Sequence, residues 1–216
     1  MSEIYQQLKN LQQRIIERKE EIYHDTYSKT DSDYSKVLFV EKNNLFHLLF
    51  YGVVWDESFQ DVIATISQAE VSVNIESLIF HEADVGANGT MELDFTELID
   101  SNAIFPNLKY FYIEPYRNRW HNHPIIGLNF GDDPITSQIV EKMPKLSALT
   151  IPNAPTQDFF ELNLNQIFSL NIYSGYESHN FILNLSQSSN LPKLKFLQFG
   201  EYNERYMAEY SGVQVY

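Results

Sequence analysis

Phe105-Pro106-Asn107-Leu108-Lys109-Tyr110-Phe111-Tyr112-Ile113 decides the fold of this chain, because its pattern returns twice. The copies are Met143-Pro144-Lys145-Leu146-Ser147-Ala148-Leu149-Thr150-Ile151 and Leu191-Pro192-Lys193-Leu194-Lys195-Phe196-Leu197-Gln198-Phe199. Each runs apolar-Pro-x-Leu-x-x-apolar-x-apolar, and the alternation after the leucine is that of a strand with one buried face. A unit that recurs along a chain predicts a solenoid, in which each repeat packs only on its neighbours.

Looser copies stand at Leu45-Phe46-His47-Leu48-Leu49-Phe50, Ile75-Glu76-Ser77-Leu78-Ile79-Phe80, Ile125-Ile126-Gly127-Leu128-Asn129-Phe130 and Ile167-Phe168-Ser169-Leu170-Asn171-Ile172. Anchors at 45, 75, 108, 125, 146, 167 and 194 are irregularly spaced. Helical patterns fill the gaps. Ser58 with Asp61 resembles a capping box, and Phe59, Val62, Ile63 and Ile66 share one face. Leu93, Phe95, Leu98 and Ile99 suggest a second helix, and Asp133-Pro134 opens a third that runs through Ile135, Ile139 and Val140 to Pro144. Residues 3–23 carry Ile4, Leu8, Leu11, Ile15 and Ile22 at helical spacing, interrupted by Arg18, and Tyr23 to Lys36 reads as a linker. This first helix either caps an open end of the core or dimerises as a short coiled coil. The division is therefore 1–36, helix and linker, and 37–216, repeat domain.

The Leu-x-x-Leu-x-Leu core resembles the strand signature of leucine-rich repeats. Residues 37–200 resemble bacterial cytoplasmic leucine-rich-repeat proteins, a group that includes immunity-like partners of polymorphic toxins. The resemblance implies an α/β fold: an irregular leucine-rich-repeat solenoid with a parallel concave sheet, outer helices and an N-terminal capping helix. It implies protein binding and carries no site residue over. The asparagine that closes the usual repeat loop is missing, with Tyr116, Pro155 and Tyr202 near its place, so the turns must be braced differently.

Composition narrows the function. No apolar run approaches the roughly 18–20 residues that span a bilayer, and the polar start Met1-Ser2-Glu3 is no secretory signal. Zero cysteines exclude disulfides and thiol chemistry, and a cytoplasmic address is expected. The net charge of −14 argues against nucleic acid or an anionic membrane as partner. Lys and Arg are missing between Lys42 and Lys109, where Asp56, Glu57, Asp61, Glu70, Glu76 and further acids fall. That span serves solubility, or it steers a basic protein partner.

Alternation predicts which side chains leave the core. They are His47, Leu49 and Tyr51; Ser77, Ile79 and His81; Tyr110, Tyr112 and Glu114; Gly127 and Asn129; Ala148 and Thr150; Ser169, Asn171 and Tyr173; Phe196 and Gln198. Aromatic residues in such a row are the usual anchors of an interface. The loop from Pro115 to Pro124 adds Arg117, Arg119 and Trp120 to the candidate protein-binding set. Its His121 and His123 are too few for a metal site, and no cofactor is expected. Tyr51, His81 and Glu114 fall in one row, where a hydroxyl, an imidazole and a carboxylate offer acid–base chemistry. No motif of an established enzyme class accompanies them. The sequence therefore predicts a non-enzymatic binding module, an immunity protein or inhibitor of a basic toxin being its most concrete form. A generic scaffold or adaptor is the alternative, and a hydrolase using the Tyr51/His81/Glu114 row the third.

Overall fold

A computed structural model describes residues 2–23, 35–54, 57–82, 89–115, 122–127, 134–174 and 178–201. In chain order the strands are β1 (Lys36–Lys42), β2 (Leu45–Gly52), β3 (Ile75–Glu82), β4 (Gly89–Leu93) and β5 (Tyr110–Ile113). They continue with β6 (Asn122–Ile126), β7 (Ala148–Ile151), β8 (Ser169–Ser174) and β9 (Phe196–Glu201). Seven of them form one sheet in the order β1-β2-β3-β5-β7-β8-β9, while β4 and β6 pair separately. Apart from the antiparallel β1–β2 hairpin every pairing is parallel, so this is a mixed α/β fold around a mostly parallel sheet.

The repeated signature explains the sheet from β5 onward. Each apolar-Pro-x-Leu quartet closes a turn in which the Leu N–H donates to the carbonyl three residues back. The distances are 3.3 Å for Leu108 to Phe105, 2.9 Å for Leu146 to Met143 and 3.1 Å for Leu194 to Leu191. Proline suits the second place of such a turn, because its φ is fixed there and no donor is needed. Leu164 to Ile167 makes the same turn at 3.0 Å with Asn165 in the proline's place. After each turn one carbonyl accepts two N–H groups from the next unit. Lys109 O takes Ser147 and Ala148, Ser147 O takes Phe168 and Ser169, and Phe168 O takes Lys195 and Phe196.

The helices are α1 (Glu3–Tyr23), α2 (Glu57–Ile66), α3 (Ala69–Ser72), α4 (Thr96–Asp100), α5 (Ile135–Glu141) and α6 (Phe181–Gln187), with a 3-10 turn at Gln157–Glu161. They follow one another across one side of the sheet: α1 on α2, α2 on α4, α4 on α5, α5 on the 3-10 turn, and that on α6. The core between the layers holds Phe50, Phe59, Phe80, Phe95 and Phe111, whose rings meet mostly edge to face at 5.5–6.0 Å. Such ring pairs add about 0.5–1.5 kcal/mol each beyond their burial. Helix α1 buries Leu8, Leu11 and Ile15 against α2 and β1. Arg18, which breaks its stripe, reaches Asp61 at 2.6 Å and Glu57 at 3.3 Å. Gln12 Nε2 donates to Val37 O at 2.7 Å, so α1 covers the first end of the core.

Several expected elements are corrected. Ile125 and Ile126 end β6, which pairs with β4 outside the main sheet, and Gly127 turns the chain there with φ +89°. Leu128, Asn129 and Phe130 lie outside the described residues. Leu93 ends β4, and α4 starts only at Thr96, whose N–H donates to Asp94 Oδ1 at 2.9 Å. Ser58 lies inside α2 rather than capping it, and Pro134 is the residue before α5 rather than its first. Lys36 opens β1 instead of closing a linker, and residues 24–34 are outside the described set. The β1–β2 hairpin turns on Asn43 and Asn44, both left-handed at φ 53° and 63°, as a two-residue hairpin of primed type requires.

Candidate functional site

Period two divides the sheet residues between two faces. Phe46, Leu48, Phe50, Leu78, Phe80, Phe111, Ile113, Leu149, Ile151, Leu170 and Ile172 are buried against the helices. Their neighbours project from the other face, and strand register aligns them into rows. One row runs Val40, His47, Ser77, Tyr110, Ala148, Ser169, Phe196, and the next Leu38, Leu49, Ile79, Tyr112, Thr150, Asn171, Gln198. Val40 is 65% exposed, Phe196 61%, Leu38 55% and Tyr110 45%, a large apolar surface for one side of a sheet. Between Tyr110 and Tyr112 on β5 and Phe196 on β9, the two rows carry Ala148 and Thr150 of β7 and Ser169 and Asn171 of β8. Tyr173 lies along the face: its ring covers Gly200, and its hydroxyl accepts from Gln198 Nε2 at 2.6 Å.

The third row contains the titratable set. Tyr51 is paired in register with His81, and Lys36 Nζ sits 4.8 Å from the centre of the Tyr51 ring. His81 Nδ1 lies 2.6 Å from Glu114 Oε2, and its ring packs on Tyr112 at 5.5 Å. Glu114 is a correction: it was expected on the exposed face, yet it is 3% exposed, because β5 ends at Ile113 and alternation stops there. Its N–H still donates to Phe80 O at 2.9 Å, which holds the carboxylate beside His81. At the other end of the strands, Glu76 meets Lys109 Nζ at 2.5 Å and His47 Nε2 at 3.3 Å. The hydrogen bond from Lys109, more than its charge, holds the Glu76 carboxyl below the ordinary range, and Glu76 in turn raises Lys109.

Of the residues expected on this face, Tyr51, His81, Tyr110, Tyr112, Tyr173 and Phe196 are brought to it. Gly127 is not, since β6 belongs to the other sheet. Arg117, Arg119, Trp120 and His121 lie outside the described residues, and His123 contributes its backbone to β6. Among the described residues no group of three or more His, Asp or Glu side chains is placed to hold a metal. Leu38 and Val40 were missed. Their signal was present in the alternation of Val37 and Phe39 before Asn43-Asn44. The acids Glu57, Asp61, Glu70, Glu97 and Asp100 sit on α2, α3 and α4, not on the aromatic face.

Among the described residues no helix is long and apolar enough to cross a membrane. Comparison with protein-family models, with curated proteins and with solved structures finds no match to this chain.

Proposed function

We propose that this protein is a non-enzymatic binding module of the leucine-rich-repeat solenoid class, working in the cytoplasm, that takes a protein partner on the open face of its sheet. One observation carries the reading: Tyr110 and Tyr112 on β5, Tyr173 on β8 and Phe196 on β9 share one face of the sheet, whose opposite side is filled by helices. Stacked turn–strand units in chain order support the repeat class, and rigid strands suit anchors that must not lose much freedom on binding. The acids on α2, α3 and α4 favour a basic partner by steering rather than by contact, which is compatible with an immunity or inhibitor role. The same surface serves a scaffold equally well.

The test is affinity capture from the native host with the intact protein and with Tyr110→Ala/Phe196→Ala. Loss of one partner in the variant, with unchanged melting, supports the reading; identical capture by both places the binding surface elsewhere.

The His81–Glu114 contact is the observation that favours an enzyme, and an activity abolished by His81→Ala in a folded protein would replace the binding reading.

A further inference from the structure

The two edges of the main sheet differ. At β1 the edge carries Lys36, Glu41 and Lys42, and α1 packs on it. At β9 the strand Phe196-Leu197-Gln198-Phe199-Gly200-Glu201 has no proline, lysine or bulge to protect it. Its Leu197 stands in register with Leu170 and Leu149, each 1% exposed, but is itself 45% exposed. Among the described residues no strand stands on the outer side of this inward place.

Residues 195–201 are in part complementary to their own reverse. In an antiparallel pair directly opposed residues share a face, so a two-fold axis must pass through a residue. With the axis at Gln198, Leu197 stands opposite Phe199 of the partner subunit and Phe196 opposite Gly200 of the partner subunit. Lys195 then stands opposite Glu201 of the partner subunit, and Gln198 meets its own copy. An axis one residue earlier sets Lys195 against an aromatic ring, and one residue later sets Leu197 against a carboxylate. Only the central register pairs the charges and the apolar residues together.

We propose that β9 pairs antiparallel with β9 of a second copy of this chain about an axis through Gln198, joining the two seven-stranded sheets. The pairing gives β9 a strand on its outer side, covers Leu197 and sets the Lys195 and Glu201 positions opposite one another twice. It does not depend on the open-face reading, because the edge and the face are different surfaces.

Sedimentation equilibrium on the full chain at micromolar concentration tests it. The expected result is a dimer whose dissociation constant rises about tenfold or more in Lys195→Glu and in Glu201→Lys, since each reversal places like charges opposite one another twice. The combined Lys195→Glu/Glu201→Lys protein should dimerise as the parent does. A monomeric parent overturns the proposal. So does a dimer that neither single reversal weakens, or one that the combined variant fails to restore. A full chain that is monomeric and dimerises only after removal of residues 202–216 also overturns it, assigning the edge to the chain's own end.

Discussion

Glu76 and Lys109 meet at 2.5 Å across the starts of β3 and β5, while His81 and Glu114 make the polar contact at the other end of the same pair. The two shifts bound a pH window. A carboxyl held below its ordinary value of 4.5 contributes stability above that value and loses it as pH falls through the lowered one. An ammonium raised above 10.5 contributes below that value and loses it as pH rises through the raised one. The pair is therefore fully present from about pH 5 to about pH 10. Glu76→Gln should melt slightly below the parent throughout this window, and the difference should close in acid. Thermal melting of both proteins across pH measures it; a gap that persists in strong acid would separate the effect from this ion pair.

Leu146 and Leu194 hold the same place in two turns but not the same burial, for Leu146 is 2% exposed while Leu194 is only partly buried. An unpaired carboxylate at the first site costs a large fraction of the roughly 5–15 kcal/mol that holds a domain together. Leu146→Asp should unfold the protein, whereas Leu194→Asp should leave it folded with a lower urea midpoint. Equal tolerance of both would remove Leu146 from the core.

Gly52 ends β2 against Ser35. A Cβ there would lie 2.6 Å from the Ser35 Cα and 2.2 Å from its Oγ, and a backbone atom cannot swing aside. Overpacking of this kind costs about 1–3 kcal/mol. Gly52→Ala should show that loss in chemical denaturation. Ser35→Gly should return only part of it, because it clears the side chain and leaves the Cα.

The open-face tyrosines should separate stability from binding. Truncating Tyr110, 45% exposed, should change folding by less than about 0.5 kcal/mol, the usual range for surface sites. Its effect on partner binding should reach about 2 kcal/mol or more, the size of an interface anchor. Tyr173→Ala should cost some stability as well, since that ring covers Gly200 and bonds Gln198. Paired melting and affinity measurements on Tyr110→Ala, Tyr112→Ala and Tyr173→Ala check the order, and a collapse of stability in Tyr110→Ala would contradict its placement.

The turns were the legible part of the sequence, because Pro106, Pro144 and Pro192 each precede a leucine two places on and a strand two places further. Six of the seven anchors lead into main-sheet strands. Ile125 does not: only 17 residues separate it from Leu108, too few for a full unit, and its apolar pair serves the smaller sheet with β4. Glu114 escaped because alternation was carried one step past the end of β5. Strand β1 escaped because it has no leucine anchor and enters through an antiparallel hairpin, whose sign is Asn43-Asn44 rather than the repeat. The closeness of His81 and Glu114 was suggested by row alignment, but their 2.6 Å contact depends on burial that no spacing rule reports.

One carbonyl taking two amides from the next unit has a consequence for how such a chain can grow or shrink. Leu146 and Ile167 are equivalent places 21 residues apart. Without residues 146–166, Ile167 would follow Lys145, and the Lys109 carbonyl would face the amides of Phe168 and Ser169 in place of Ser147 and Ala148. The backbone joint is the same joint. The length of this protein is therefore counted in whole units, and losing one complete unit disturbs the joint less than losing a few residues within it.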